Sequence, residues 1–355
     1  MKILLLGEFS SLHKNLKDGL VELGYDVVIA STGDSWKNVP RDIDLKCHRK
    51  YIPNKLKSLK LIFKTHKLTG FDVVQLINPF ILYYKQYFPN KIYVDYLIKH
   101  NKDFFLLAAG DDAYYWKYGP KRLRYTPHND ALKYDKKLKK YYMQTEKAYE
   151  YNTFVANHVN GIIPIMYDYE ECYRGAKNLK KVIPIPMNMS KIEYTENIVQ
   201  DKLVVFHGLN RYGFKGTKYV EEAFEILINK YPNDLELIID GNLPLEEYLL
   251  LMAKTNVVID QTSTYSLGVN GVYALAMGKV VLGGAEEESL HSLGVNSSPV
   301  INIEPNAMSI VTAVEKLLNE KENITKLGYE SRVFAENTHD HIKVARQYLK
   351  TWGIN

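Results

Sequence analysis

The stretch Leu203-Val204-Val205-Phe206-His207-Gly208-Leu209-Asn210-Arg211-Tyr212-Gly213-Phe214-Lys215-Gly216-Thr217 decides the reading of this chain. Its first four residues are the short apolar run of a buried parallel strand, and Thr217 to Tyr231 has helical spacing. What lies between is therefore a strand-to-helix turn. Two cations, Arg211 and Lys215, stand in that turn, and Gly216 leaves backbone amides open beside them. Arginine grips phosphate oxygens through parallel N–H bonds, lysine adds a point charge, and a helix N-terminus adds its dipole. The turn suits a diphosphate. It also suits a solvated basic turn capped by Thr217.

A second signal follows downstream, where Val257-Val258-Ile259-Asp260 reads as a strand and Gln261 to Gly268 as a loop. That loop feeds a helix of small residues, 269–277, which Gly278 terminates before the strand Lys279-Val280-Val281-Leu282. The amides near Ser266, Leu267 and Gly268 would then face a ligand at a helix N-terminus. A tightly packed helix would show the same composition.

Outward from these elements the chain reads as two successive α/β units. Leu235 to Asp240 adds a strand to the second unit. In the first, strands are predicted at 2–6, 26–30, 73–77, 104–107 and 161–164, with a helix carrying Leu16, Leu20 and Leu23 after the first strand. The Pro-rich stretch Ile183-Pro184-Ile185-Pro186 and the polar segment after it mark the boundary, giving domains at 1–190 and 200–336. Two such units place a ligand in the cleft between them, beyond the carboxyl ends of the strands. Gly7-Glu8-Phe9-Ser10-Ser11 is no dinucleotide fingerprint, and no P-loop pattern occurs, which removes the main support for a dehydrogenase or a P-loop enzyme.

With 46% apolar and 25% charged residues among 355, the composition is that of a globular protein and excludes disorder. The charge is uneven. Residues 1–195 hold 32 Lys+Arg against 20 Asp+Glu, and residues 196–355 hold 14 against 21. The two halves face different partners. No apolar run nears the ~18 residues of a membrane span, and the start of the chain lacks a signal-peptide pattern. Two cysteines, Cys47 and Cys172, fit a reducing cytoplasm. His48, His66, His128 and His158 show no metal-ligand spacing, so no metal is expected.

The order of the two phosphate-binding signals resembles the donor half of GT-B-fold glycosyltransferases, in particular the retaining family four. There an Arg-x-x-x-Lys-Gly context holds the nucleotide diphosphate, matching Arg211, Lys215 and Gly216. The family's next motif, Glu-Gly-x-Gly-x-x-x-x-Glu-Ala-Met-Ala-x-Gly-x-Pro-Val, lays Gly268 on its second Gly and Ala274, Ala276 and Gly278 on the later Ala, Ala and Gly. The resemblance implies two Rossmann-like domains facing a cleft, with the terminal segment 337–355 crossing back as a helix onto the N-terminal domain. It implies a nucleotide-sugar donor as substrate, no cofactor, no metal and retention of configuration. The acceptor would be a growing bacterial surface glycan or a lipid-linked one.

The sequence departs from the family at the two glutamates, which land on Tyr265 and Tyr273. In the family these acids hold the donor sugar and ribose. A tyrosine hydroxyl can still bond a sugar and its ring can stack on one, but it brings no negative charge. Tyr273 equally suits a packed helix position. Ala108-Ala109-Gly110-Asp111-Asp112 sits where relatives carry a His-Gly-x-Asp-like motif, with Ala109 at the histidine position. Asp111 and Asp112 are thus the catalytic candidates, orienting a hydroxyl, or else caps of the next helix. Nucleotide-sugar 2-epimerases share the fold but use clustered acids, which this chain lacks at 265 and 273. A third reading is a catalytically impaired relative that binds nucleotide or glycan and assists another transferase.

Segment 54–67 reads as an amphipathic helix, with Lys57, Lys60, Lys64 and Lys67 opposite Leu56, Leu59, Ile62 and Phe63. Such helices suit anionic membrane surfaces, at ~1 kcal/mol per nearby cation. An ordinary surface helix fits the pattern too. The basic cluster at Lys136, Lys137, Lys139 and Lys140 and the aromatic, cationic run Tyr114 to Tyr125 extend this face. It could meet sugars or a lipid diphosphate, whereas no nucleic-acid module surrounds it. A cytoplasmic protein, peripheral on the inner face of the plasma membrane, is the expectation.

Overall fold

The computed structural model describes residues 1–46, 59–83, 90–135 and 141–354. Cys47, His48, Leu56, Lys57 and Lys136 to Lys140 lie outside the described residues.

The N-terminal sheet is built on β1 (Lys2–Leu6), whose run Ile3-Leu4-Leu5-Leu6 is fully buried. A strand covered on both faces tolerates such an uninterrupted apolar run. Helix α1 (Leu12–Glu22) lays Leu12, Leu16 and Leu20 on the sheet and stops before Gly24, whose φ of +87° a side chain would resist. Then follow β2 (Asp26–Ser31), β3 (Ile43–Asp44), α2 (Leu59–Lys64), β4 (Val73–Leu76), α3 (Asn90–Lys99) and β5 (Asp103–Ala108). Helices α4 (Ala113–Arg122), α5 (Pro127–Tyr134) and α6 (Glu146–His158) precede β6 (Gly161–Pro164) and α7 (Tyr167–Tyr173). All strands are parallel, in the order β3-β2-β1-β4-β5-β6.

The C-terminal unit repeats the pattern with β7 (Leu203–Gly208), α8 (Tyr212–Lys215), α9 (Thr217–Lys230), β8 (Leu235–Asp240), α10 (Leu245–Lys254) and β9 (Val257–Ile259). It continues through α11 (Val269–Ala276), β10 (Val280–Gly283), α12 (Glu287–Leu293) and β11 (Ile301–Asn302) to α13 (Ala307–Asn319) and α14 (Ile324–Thr338). Its parallel sheet runs β11-β10-β9-β7-β8. The strands read from periodicity are present within a residue or two. The two-residue strands β3 and β11 had no periodic signal to show.

Helix α15 (His341–Thr351) crosses back onto α1. Asp340 caps it by accepting from the amides of Ile342 and Lys343, and its face Val344, Ala345, Tyr348 and Leu349 is buried. At Gly19 a Cβ would overlap the carbonyl of His341, so the two helices meet at backbone distance. The Met187 amide donates to the His339 carbonyl at 2.7 Å, and the His341 amide donates back to Met187 at 3.0 Å. The crossing helix is thereby fixed to the segment joining the two sheets.

The two units also meet directly. Helices α5 and α8 pack so closely that a Cβ on Gly213 would overlap the backbone of Ala131. The Tyr219 hydroxyl donates to Asp130 at 3.1 Å. Arg124 reaches Glu286 at 2.5 Å and also pairs with Glu288, while the Tyr125 hydroxyl donates to Glu286. Glu286 and Glu288 therefore clamp this domain to the other one. In the aromatic run, Tyr115 and Trp116 turn inward, at 3% and 6% exposure, so those two rings are core and not a docking face.

Candidate functional site

Three adjoining chambers open between the carboxyl ends of the two sheets. One of about 280 Å3 brings Arg211, Lys215, Gln261, Thr264 and Gly268 opposite Phe9, Ser10, Gly110 and Asp111. A second, about 380 Å3, lies over the end of β8, with Asp240, Gly241, Asn242 and Leu243 beside the rings of Phe206 and Tyr248. A third, about 330 Å3, is lined by Asn15, Asn188, Lys191, Tyr248 and Tyr273.

The cation turn is held from beneath by His207. Its Nδ1 lies 3.0 Å from the Ile259 carbonyl and its Nε2 2.9 Å from the Thr217 hydroxyl. Burial lowers its pKa to about 4, so the ring is neutral and links β7, β9 and the start of α9. Gly216 has φ +66°, and a Cβ there would overlap the Thr262 hydroxyl. Only glycine lets the turn lie on the loop after β9.

Both cations are already engaged. The Lys215 ammonium sits 2.7 Å from Asp260 Oδ1, and Asp260 Oδ2 accepts from the Gly268 amide at 2.7 Å. A single buried carboxylate thus joins the two segments read as phosphate-binding. Arg211 spans the cleft to Asp111 Oδ2 at 2.7 Å, with its guanidinium 3.5 Å from the centroid of Phe214. Burial would raise the Asp111 pKa, but His128 and Arg211 outweigh it and hold the carboxyl below its ordinary value. The loop carrying Asp111 is anchored by Asn78, whose amide donates to the carbonyls of Ala109 and Asp111 at 2.7 and 2.9 Å.

The other candidates separate. Asp112 is fully buried, caps α4 by accepting from the Tyr115 amide at 2.8 Å, and accepts from the Tyr173 hydroxyl at 2.7 Å. Burial raises its pKa to about 6. It is a structural cap, out of reach of the cleft. Tyr265 is 2% exposed, and its hydroxyl accepts from the Arg124 amide at 2.7 Å. Its ring packs 5.0 Å from Tyr125 and 5.4 Å from Tyr167. The tyrosine at the first glutamate position is thus buried in the domain interface and faces no chamber. Tyr273, at the second, is half-buried and lines the third chamber.

Ser266 bonds the Ser289 hydroxyl at 2.8 Å, and Leu267 turns into the apolar side of the loop, so of that trio only Gly268 reaches the cations. The first-turn amides of α11 lack intrahelical partners by geometry, and the chamber is lined there by Val269 and Asn270. The first-turn amides of α11 that face the chamber thus lie one or two residues further along than the trio read from the motif. Asp260, Asn270, Tyr248 and Lys37 were not singled out from sequence. Asp260 alone had a signal, a carboxylate ending an apolar strand.

Among the described residues, no group of three or more His, Cys, Asp or Glu could hold a metal ion, and no helix is long and apolar enough to cross a membrane.

No protein-family model matches the chain, and no curated protein matches it in sequence. Solved structures do. A sucrose-phosphate synthase from Thermosynechococcus elongatus superposes with a TM-score of 0.66 at 15% identity, over 99% of this chain and 98% of that one. HepE from Anabaena, solved in complex with UDP-glucose, gives 0.62 at 12% identity over 99% of both chains. A UDP-GlcNAc 2-epimerase from Neisseria meningitidis, bound to UDP-GlcNAc, gives 0.54 at 12% identity over 99% of both. The chain has the GT-B fold, two Rossmann-like domains facing a cleft, in common with glycosyltransferases. At these identities the likeness shows the fold alone, and the chemistry has to be argued from the cleft.

Proposed function

We propose that the protein is a glycosyltransferase that moves a sugar from a nucleotide-diphosphate donor to a glycan or lipid-linked acceptor in bacterial surface polysaccharide assembly. One observation carries the reading: Arg211, Lys215 and the start of α11 converge on one chamber beside a base-sized one. The diphosphate would lie on Arg211, Lys215 and the amides of Val269 and Asn270. The base would enter between Phe206, Tyr248 and the loop 240–243, and the ribose would lie near Tyr273. Structures solved with UDP-glucose and UDP-GlcNAc in this fold support a nucleotide-sugar ligand.

Transfer with retention and without a metal needs no dedicated nucleophile. Positioning of donor and acceptor, with stabilisation of the charge on the leaving diphosphate, supplies most of the rate. Asp111 is the one acid of its pair at the chamber, where it would exchange Arg211 for a sugar hydroxyl once the diphosphate arrives. The acceptor would enter over the basic N-terminal domain. There Ile62 and Phe63 are 47% and 76% exposed, which supports contact with an anionic membrane surface on the cytoplasmic side.

The test is a thermal-shift screen of UDP-, GDP-, ADP- and dTDP-sugars, since a ligand that binds only the native state raises its stability by mass action. A donor that shifts the wild type, and shifts neither Arg211→Ala nor Lys215→Ala, supports the reading. Undiminished shifts in both variants would sink it. The alternative, a binding relative without turnover, is favoured by the burial of Tyr265, and donor binding with no hydrolysis or transfer would select it.

A further inference from the structure

We propose that Lys37 is a third cation of the diphosphate site, supplied by the N-terminal domain. The inference rests on the reading of the cleft as a nucleotide-diphosphate site. Three features of the structure lead to it.

Lys37 and Asn270 are the two residues that line all three chambers. Asn270 stands in the first turn of α11, where amides lack intrahelical partners, so Lys37 faces that turn from the opposite domain. No other cation among the chamber-lining residues stands at the point common to all three.

The backbone carrying Lys37 is strained, and the strain is local. Among the described residues, six non-glycine residues have left-handed φ angles: Ser10, Ser11, Asp34, Ser35, Asn38 and Asn242. Ser10, Ser11 and Asn242 line the chambers, and the other three bracket Lys37 in sequence. Such residues cost energy and persist where the surroundings over-determine them, which happens mostly at functional sites.

The side chain is held but not committed. Its Nζ lies 2.6 Å from Ser10 Oγ and 3.1 Å from Asp34 Oδ2, and that same Asp34 oxygen accepts from the Ser10 amide at 2.8 Å. The triangle fixes the turn after β2 to the turn after β1 and leaves the Lys37 side chain 30% exposed, between 14% for Lys215 and 50% for Arg211. Arg211 and Lys215 are each paired with a carboxylate at 2.7 Å, whereas the carboxylate contact of Lys37, to Asp34, is longer at 3.1 Å. A bound diphosphate therefore gains a nearby charge from Lys37 by loosening the longest of the three ion pairs.

The test titrates full-length protein with UDP and GDP by calorimetry, and with uridine and guanosine by saturation-transfer NMR. Wild type, Lys37→Gln, Lys37→Arg and Arg211→Ala are compared. Lys37→Gln is expected to weaken the diphosphate about tenfold, the loss of one charge-assisted bond, while nucleoside binding holds. Lys37→Arg should recover most of the loss. Diphosphate binding by Lys37→Gln at wild-type strength overturns the proposal while leaving the site reading intact if Arg211→Ala has lost binding. An equal loss of nucleoside binding also overturns it, because it marks a structural role. Failure of the wild type to bind any of these diphosphates overturns both.

Discussion

Lys215 and Asp260 form an ion pair 2.7 Å long that joins the turn after β7 to the end of β9. Asp260 also takes the Gly268 amide, so one carboxylate sets the distance between the cation turn and the start of α11. The pair is a structural tie, and under the proposed function it is also the resting state of a donor-binding group.

Asp260→Asn should reveal the structural part. Asp260 is buried and Lys215 is 14% exposed, so removing the acid leaves a largely buried ammonium without its counter-charge. The expected loss is about 2–3 kcal/mol, below the cost of breaking a fully buried pair because solvent reaches the lysine. Urea denaturation measures it. Adding Lys215→Met should restore part of the stability, and a double variant less stable than Asp260→Asn would contradict the pairing.

The cation turn was legible because its chemistry is local, a strand, two cations and a glycine before a helix. Its counter-charges were not. Asp111 meets Arg211 only through closure of the two domains, and no spacing rule links residues so far apart in the chain. The pattern around Tyr265 reads as a loop, but nothing in it shows the ring turned to Arg124 and Tyr125. Asp111 and Asp112 are adjacent in sequence and part in the structure, one facing the chamber and the other capping α4. Lys37 had no periodic or motif signal, since its position depends on the turns that carry it.

Tyr265→Glu, which supplies the acid found at this point of the glycosyltransferase motif that the loop resembles, should not create a sugar contact. The side chain would enter the space between Tyr125 and Tyr167, near Asp168, Glu286 and Glu288. A carboxylate buried there meets like charges and desolvation together. The thermal midpoint should fall well below that of Tyr265→Phe, which loses one hydrogen bond worth about 1 kcal/mol. Equal midpoints for the two variants would show that the interface tolerates the charge and reorients it to solvent.

Gly19→Ala tests the crossing helix. Alanine would favour α1 by about 1 kcal/mol through helix propensity. Its methyl would overlap the His341 carbonyl, however, and α15 would have to lift, a cost of about 1–3 kcal/mol for an overpacked contact. The net change should be destabilising, with faster amide exchange in α15 than in β4 or β5. Slower exchange in α15 would mean that the helices have room between them.

Asp168 sets a pH dependence whose sign can be worked out. It is fully buried between the domains, accepts from the Tyr265 amide at 3.1 Å, and has its pKa raised by burial to about 6 from an unfolded value of 3.8. The folded state therefore holds its proton more tightly than the unfolded chain does. The stability this contributes is full below the unfolded value and is lost as pH rises towards 6, by roughly 2–3 kcal/mol. His13, His207 and His339 are lowered by burial from 6.5 to about 4 and slope the opposite way, gaining stability over the same interval. Glu8 and Asp112, raised by burial to about 7 and about 6, fall alongside Asp168 and offset that gain, so the wild type should look nearly flat between about pH 4 and 6. Asp168→Asn removes one falling contribution, so its stability relative to wild type should grow as pH rises through that window. Urea denaturation of both proteins at pH 4, 5, 6 and 7 measures the difference, and a constant difference across the series would show that Asp168 is ionised throughout.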